Sequence, residues 1–271
     1  MPRAMWTGSI SFGLVNVPVK LYTAAKNRDV RFNQLHAPDH SRVQMKRFCA
    51  DEQVEIPYDE IVKGIERGGE YVVITDAEMD ALAPAVTQGI EIEEFVNLVD
   101  IDPVYFEHSY YLAPEKGGAK AYALLRDAME QSGKIALGRV VLRQKQYLVA
   151  VRPAGRALSM ATLFFPDEVV SQDEIDGLPK DDVEASEREL KMAQQLIETL
   201  TGEFEPEKYH DEYREQLEAL IDEKAAGNAP VELKPKTAAP AKVTDLMAAL
   251  EASIAAAKDA KEPEQKGRKT A

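Results

Sequence analysis

The sequence predicts an α+β chain that is mainly β: a barrel or sandwich core, then a helical arm, then a tail. Three observations predict it. Residues 6–22, WTGSISFGLVNVPVKLY, alternate with the period of two that marks half-buried strands. Short extended runs joined by brief turns fill most of the chain to about residue 165. Beyond that point the composition turns acidic and the apolar residues recur three and four apart.

The first strand sets Trp6, Gly8, Ile10 and Phe12 on one side and Thr7, Ser9 and Ser11 on the other. Gly13 breaks the alternation, and a second strand follows through Val17, Val19 and Leu21, with Pro18 arguing for an edge position. Val30 and Phe32 continue extended structure, and residues 39–41 read as a turn. A strand over residues 70–74 runs into Thr75, Asp76, Ala77 and Glu78. That is a capping box, in which the Thr75 hydroxyl and the Glu78 carboxylate satisfy orphan amides of a short helix ending before Pro84. Strands are expected over residues 90–99 and 104–112. Gly117 and Gly118 then turn the chain into a helix whose face is Tyr122, Leu125 and Met129, stopped by Gly133. Three more strands fill residues 135–143, 147–152 and 157–165, the last two joined by a turn containing Pro153 and Gly155.

Past Pro166, Leu190, Ala193, Ile197 and Leu200 form one helical stripe, stopped by Gly202, and Tyr209, Tyr213, Leu217 and Leu220 form another, stopped by Gly227. Such narrow apolar faces need a partner surface, either the chain's own core or a second molecule. Pro230, Pro235 and Pro240 make residues 228–242 an extended linker. Val243, Leu246, Met247, Leu250 and Ile254 then recur at helical spacing, in a helix too short to bury that face alone. The last residues are polar and have the composition of a disordered tail.

Of the 271 residues, 45% are hydrophobic and 30% charged, an ordinary balance for a globular protein. No apolar run approaches the ~18 residues of a bilayer span, and no basic-then-apolar leader precedes the first strand. Met1 is therefore expected to begin a mature cytoplasmic protein. Cys49 is the only cysteine, so an intramolecular disulfide is excluded and a reducing compartment fits. The net charge of −14 argues against nucleic acid until its distribution is followed. Residues 1–50 carry a net +6, residues 51–110 a net −14, residues 111–165 a net +6, residues 166–227 a net −14, and residues 228–271 a net +2. Charge segregated in this way either forms separate solvated faces or is gathered by the fold into one basic surface.

Catalytic motifs are missing. Gly133 and Lys134 lack the earlier glycine and the following hydroxyl of a phosphate loop, and GxGxxG and HExxH do not occur. Ser9 and Ser11 stand at the wrong spacing for a nucleophile elbow. His108 reads as an ordinary imidazole. His36, His40 and Cys49 are the metal-ligating types nearest one another, but three scattered ligands make a poor zinc set, and no metal is expected.

Four segments carry a resemblance to a family. The opening WTGSISFGLVNVPVKLY, then DPVYFEHSYYLAPEKGGAKAYALLRDAM, GKIALGRVVLR and FEPEKYHDEYREQLEALI are together similar to the bacterial Ku proteins of non-homologous end joining. The resemblance covers almost the whole chain. It implies a Ku-type β-barrel with an inserted DNA-bridging arm over residues 1–170, and a helical dimerisation arm over 171–227. The linker 228–242 would then lead to a partner-docking helix and tail over 243–271. Some relatives carry a cysteine three residues after the position of Cys49, where this chain has Glu52.

What the resemblance implies functionally is a non-catalytic homodimeric ring that threads onto double-stranded DNA ends without reading sequence. It would need no cofactor and would work in the cytoplasm at the nucleoid. Lining candidates from the first basic block are Lys20, Arg28, Arg31, Arg42, Lys46 and Arg47, and from the second Arg126, Arg139 and Arg143. Val243, Leu246, Met247 and Leu250 would dock on the multidomain ATP-dependent ligase D. A protein-only repair scaffold is the alternative, compatible with the isoelectric point of 4.9. An enzyme is disfavoured by the absent motifs.

Overall fold

The computed structural model describes residues 3–82, 89–179, 185–227 and 247–256. The chain divides into two compact units, residues 1–174 and 175–271. In the first, seven strands close a barrel in the order β1, β2, β6, β9, β8, β7, β5. They are β1 (Trp6–Phe12), β2 (Val15–Thr23), β5 (Gly89–Asn97), β6 (Phe106–Pro114), β7 (Lys134–Leu142), β8 (Lys145–Ala154) and β9 (Ala157–Leu163). Closure is made by a short parallel pairing, Ser9 to Gly89 through Ser11 to Glu91, while every other barrel seam is antiparallel. Of the barrel and sandwich that alternation alone allows, the barrel forms.

The alternation fills the interior. Ile10, Val17, Val19, Leu21, Ile90, Leu112, Val140, Val149, Val151, Leu158 and Met160 are buried in one cluster, with Trp6 and Phe12 packed against it. A second cluster of Ile135, Ala150 and Leu163 is covered by Ile101, Tyr105 and Phe106 from the connection into β6. Helix α2 (Ala119–Ser132) adds Tyr122, Leu125 and Met129 to the main cluster and ends at Gly133 in a left-handed cap. Its Gly118 cap lies so close to Pro18 that a Cβ there would stand 2.8 Å from the proline ring.

Pro18 is not on an edge, because β2 lies between β1 and β6. The proline is tolerated because the β2–β6 register starts one residue later, at Val19 and Pro114. The Pro18 carbonyl faces that side, accepting from the Glu115 amide at 2.9 Å, so the missing N–H falls beyond the end of the ladder. Pro153 likewise sits within β8, opposite Leu158, and the turn is made by Gly155 and Arg156. No strand forms at Val30 or Phe32.

Two irregularities show why particular residues stand where they do. A bulge between Ile92 and Glu94 in β5 faces Gly138 of β7, where any Cβ would overlap the Glu91 carbonyl oxygen. A second irregularity, between Phe106 and Ser109 in β6, leaves the His108 amide without a ladder partner; buried Thr162 accepts it at 3.1 Å.

The Tyr122 hydroxyl completes the β6–β9 seam. It accepts the Leu158 amide and donates to the Leu112 carbonyl, both at 2.6 Å, between two residues that are fully buried. Burial pushes its pKa up, so the proton it donates is held. Tyr122→Phe leaves an amide and a carbonyl unpaired in the core and is expected to cost about 2–4 kcal/mol. Thermal unfolding measures it. An unchanged melting temperature would mean that the strands close to bond directly.

In the second unit, α3 (Glu187–Leu200) starts in a capping box in which Ser186 and Glu189 bond each other's amides. It ends at Thr201, one residue before Gly202. Helix α4 (Glu212–Ala225) follows, with Tyr209 outside it, just past a single 3-10 turn over Pro206–Lys208. Each predicted stripe is divided. Ala193, Leu217 and Leu220 are half-buried, whereas Leu190, Ile197, Leu200, Tyr209 and Tyr213 are 53–75% exposed. Residues 247–256 are helical and include Met247 and Leu250, both half-buried; Val243 and Leu246 lie outside the described residues.

Candidate nucleic-acid interface

The barrel is interrupted between Thr23 at the end of β2 and Gly89 at the start of β5. β2 finishes beside the start of β1, and β5 enters parallel to β1, so the insertion leaves and returns at one barrel end. Not one described side chain between residues 24 and 82 is buried. Such a segment has no core of its own. It is held by local hairpins, by β3 (Lys63–Arg67) paired with β4 (Glu70–Ile74), and by α1 (Asp76–Leu82) in its Thr75–Glu78 capping box. Strand β3 has no signature in the sequence, because all five of its residues are exposed and leave no alternation to read.

The arm contains a repeat that the sequence conceals. Leu35 bridges Arg42, and thirteen residues on Phe48 bridges Glu55. His36 and Cys49 occupy equivalent places: each donates its amide across the hairpin, to Ser41 and Val54 respectively. Each also accepts from the residue four on, His40 or Gln53, and both of these have a φ of 55°. Asp39 tightens the first turn by accepting the Ser41 amide at 3.0 Å, which, with His36 at 2.9 Å, holds its carboxyl below the usual range. Among the described residues, no three His, Cys, Asp or Glu side chains gather as metal ligands would.

Five of the nine lining candidates fall on this arm. Arg28 and Arg31 are exposed and make no ion pair among the described residues. Arg42 donates to the Asn33 side-chain Oδ1 at 2.8 Å and makes no ion pair among the described residues. Lys46 lies 2.6 Å from Glu55, and Arg47 lies over the Tyr58 ring, 5.1 Å from its centre.

The remaining four are on the barrel. Lys20 projects from the outer side of β2 and meets Glu115 at 3.3 Å. Arg139 projects from β7 and meets Glu93, the bulge residue, at 3.4 Å. Arg143 makes the β7–β8 turn with a φ of 50° and lines a cavity of about 230 Å³ with Trp6, Glu107, Tyr110 and Tyr147. By strand register Arg143 lies at the arm-bearing end, where Gln144 of the same turn donates to Asp80 of α1 at 2.6 Å. Arg126 on α2 is held by Asp127 at 2.6 Å. His108 is exposed and bonds the Glu107 backbone carbonyl at 3.0 Å.

A closed seven-strand barrel that gives up a long, coreless, cation-bearing arm from one end is a β-barrel built around an insertion. The family model for the Ku70/Ku80 beta-barrel domain matches residues 11–192. The chain is 48% identical over 260 residues to a protein of Anaeromyxobacter sp. (strain K), covering 95% of this chain and 87% of that one. It is 45% identical over 253 residues to one of Heliobacterium modesticaldum, covering 93% and 91%. To one of Bacillus subtilis (strain 168) it is 41% identical over 255 residues, covering 93% and 81%. All three are called non-homologous end joining protein Ku. The chain belongs to the bacterial Ku family of non-homologous end joining.

Proposed function

We propose that this chain is a non-catalytic clamp for DNA double-strand ends, a homodimer in which two barrels and two arms enclose the duplex. The observation that carries the reading is the arm: residues 24–82 bury no side chain of their own and bear Arg28, Arg31, Arg42, Lys46 and Arg47. A coreless arm is stable when its exposed apolar residues, among them Met45, Tyr58 and Tyr71 at 75–85% exposure, are covered by a second copy. Its cations then face the duplex. Flexible Lys and Arg on a hairpin contact phosphate and sugar, which fixes position without reading bases. Release of counterions supplies the affinity. The relatives' name supports a place in non-homologous end joining; in this reading the clamp works in the cytoplasm at the nucleoid and needs no cofactor.

The helix that includes Met247 and Leu250 is the docking element for the multidomain ligase D in this reading, together with Val243 and Leu246. Burying two or three such side chains gives roughly 1.5–3 kcal/mol each before ordering costs, a scale suited to tethered recruitment.

A closed ring admits duplex only where the helix stops, so competition between topologies tests the reading. Labelled linear duplex should be displaced by unlabelled linear DNA and poorly by the same DNA as a covalently closed circle. Equal competition by circles would overturn threading. Failure to retard any linear duplex would favour the protein-only scaffold.

A further inference from the structure

Three lining candidates are already engaged by carboxylates that the fold brings from elsewhere. Glu55 reaches Lys46 across the second arm hairpin at 2.6 Å. Glu93, put out of register by the β5 bulge, meets Arg139 of β7 at 3.4 Å. Glu115, one residue beyond β6, meets Lys20 of β2 at 3.3 Å. Each pair is open to solvent, with side-chain exposures of 36–55%. None contributes much to folding at such exposure, because water screens the attraction and holding two long side chains costs entropy.

We infer that Glu55, Glu93 and Glu115 are built-in competitors of phosphate, which keep the clamp's grip on duplex weak enough to move along it. The inference rests on the proposed DNA-end reading and adds what regulates that site. A cation that must leave a carboxylate before meeting phosphate gains less than a free one, and the vacated carboxylate recruits a solution cation. Both effects lower affinity and flatten its dependence on salt. The exposed pairs are nonetheless weak enough for phosphate to displace the carboxylate, so exchange is rapid. An acidic protein that must hold any sequence without stalling gains from cations of this kind, while Arg28 and Arg31, which make no ion pair among the described residues, supply a fixed hold.

The test uses the full chain and a labelled linear duplex of mixed sequence, with Glu55→Gln, Glu93→Gln and Glu115→Gln made singly and together. Glutamine keeps shape and removes charge. Each single change should tighten binding roughly two- to five-fold near 0.1 M salt. Each should also steepen the log–log salt slope by up to ~0.9. The triple variant should spread more slowly from a labelled end into the duplex interior. Removing any acidic charge could tighten binding from a distance, so Glu55→Gln is repeated with Lys46→Gln, where its gain should largely disappear. Unchanged affinity in the glutamine variants, or an equal gain without Lys46, overturns the inference while leaving DNA binding intact. If the parent chain binds no linear duplex, the end-clamp reading itself falls.

Discussion

Reversing Lys46 and Arg47 to glutamate is expected to weaken duplex binding strongly, by placing two negative charges on the arm where two cations now stand. The two are adjacent, and both are open to solvent: Lys46 is 55% exposed beside Glu55, and Arg47 is exposed with its guanidinium 5.1 Å from the Tyr58 ring centre. The Lys46→Glu side chain would also face Glu55, so the hairpin would repel phosphate where it now attracts it. Losing two phosphate contacts lowers the log–log salt slope by at most roughly 1.8, and by less where Lys46 must first leave Glu55. Extrapolated from 1 M to 0.1 M salt, that upper bound amounts to roughly sixty-fold in affinity. The loss should be the same for duplexes of different sequence, because phosphate carries none of the base pattern. Fluorescence anisotropy across a salt series measures both quantities. If slope and affinity are unchanged, Lys46 and Arg47 do not contact DNA.

The barrel was legible because burial and sequence period coincide there. Ile10, Val17, Val19 and Leu21 alternate with polar neighbours, and all are essentially inaccessible. The capping box of α1 was legible for a different reason, since the bonds between Thr75 and Glu78 are local and need no tertiary context. Pro18 misled because proline's rule concerns a missing donor, and a donor can also be spared at the end of a ladder inside a sheet. The arm was legible in charge but not in structure. Its hairpins around residues 35–42 and 48–55 have no buried face, so no apolar period marks them. Their kinship lies in backbone bonds and two positive φ angles at His40 and Gln53, residue types that do not announce a left-handed turn as glycine would.

The candidate site was legible only as charge. Counting charge nominates Lys20, Lys46 and Arg139, but it cannot see that each is met by a glutamate 95, 9 or 46 residues away in sequence. Glu93 is the clearest case. It reaches Arg139 only because β5 bulges, and the bulge in turn fits against Gly138, which leaves no room for a side chain. The sequence shows Glu93 as one member of an acidic run, and the pairing appears only with the register.

Placing aspartate at Ile197 and Leu200 together is expected to convert the proposed dimer to monomer without unfolding the barrel. These side chains are 65% and 63% exposed in the single chain, and with Leu190 at 53% they continue one face of α3. Little packing among the described residues is therefore lost when they become polar, and changes at such exposed positions usually alter protomer stability by less than about 0.5 kcal/mol. In a two-fold dimer the change occurs twice, removing four apolar side chains from the interface. At roughly 1.5–3 kcal/mol for each buried side chain, even half of the total amounts to at least about 3 kcal/mol, a hundred-fold or more in dimer dissociation. Burying the new carboxylates adds to the loss. The stacked aromatics Phe204 and Tyr209, with ring centres 5.9 Å apart and exposures of 80% and 74%, extend the same demand for a cover. Sedimentation velocity over a concentration series reads the mass, and circular dichroism with thermal melting reads the barrel. A monomer with a parental melt of the barrel is the expected result. A dimer of undiminished affinity would place the interface on the barrel and its arm, leaving the α3 face to another partner.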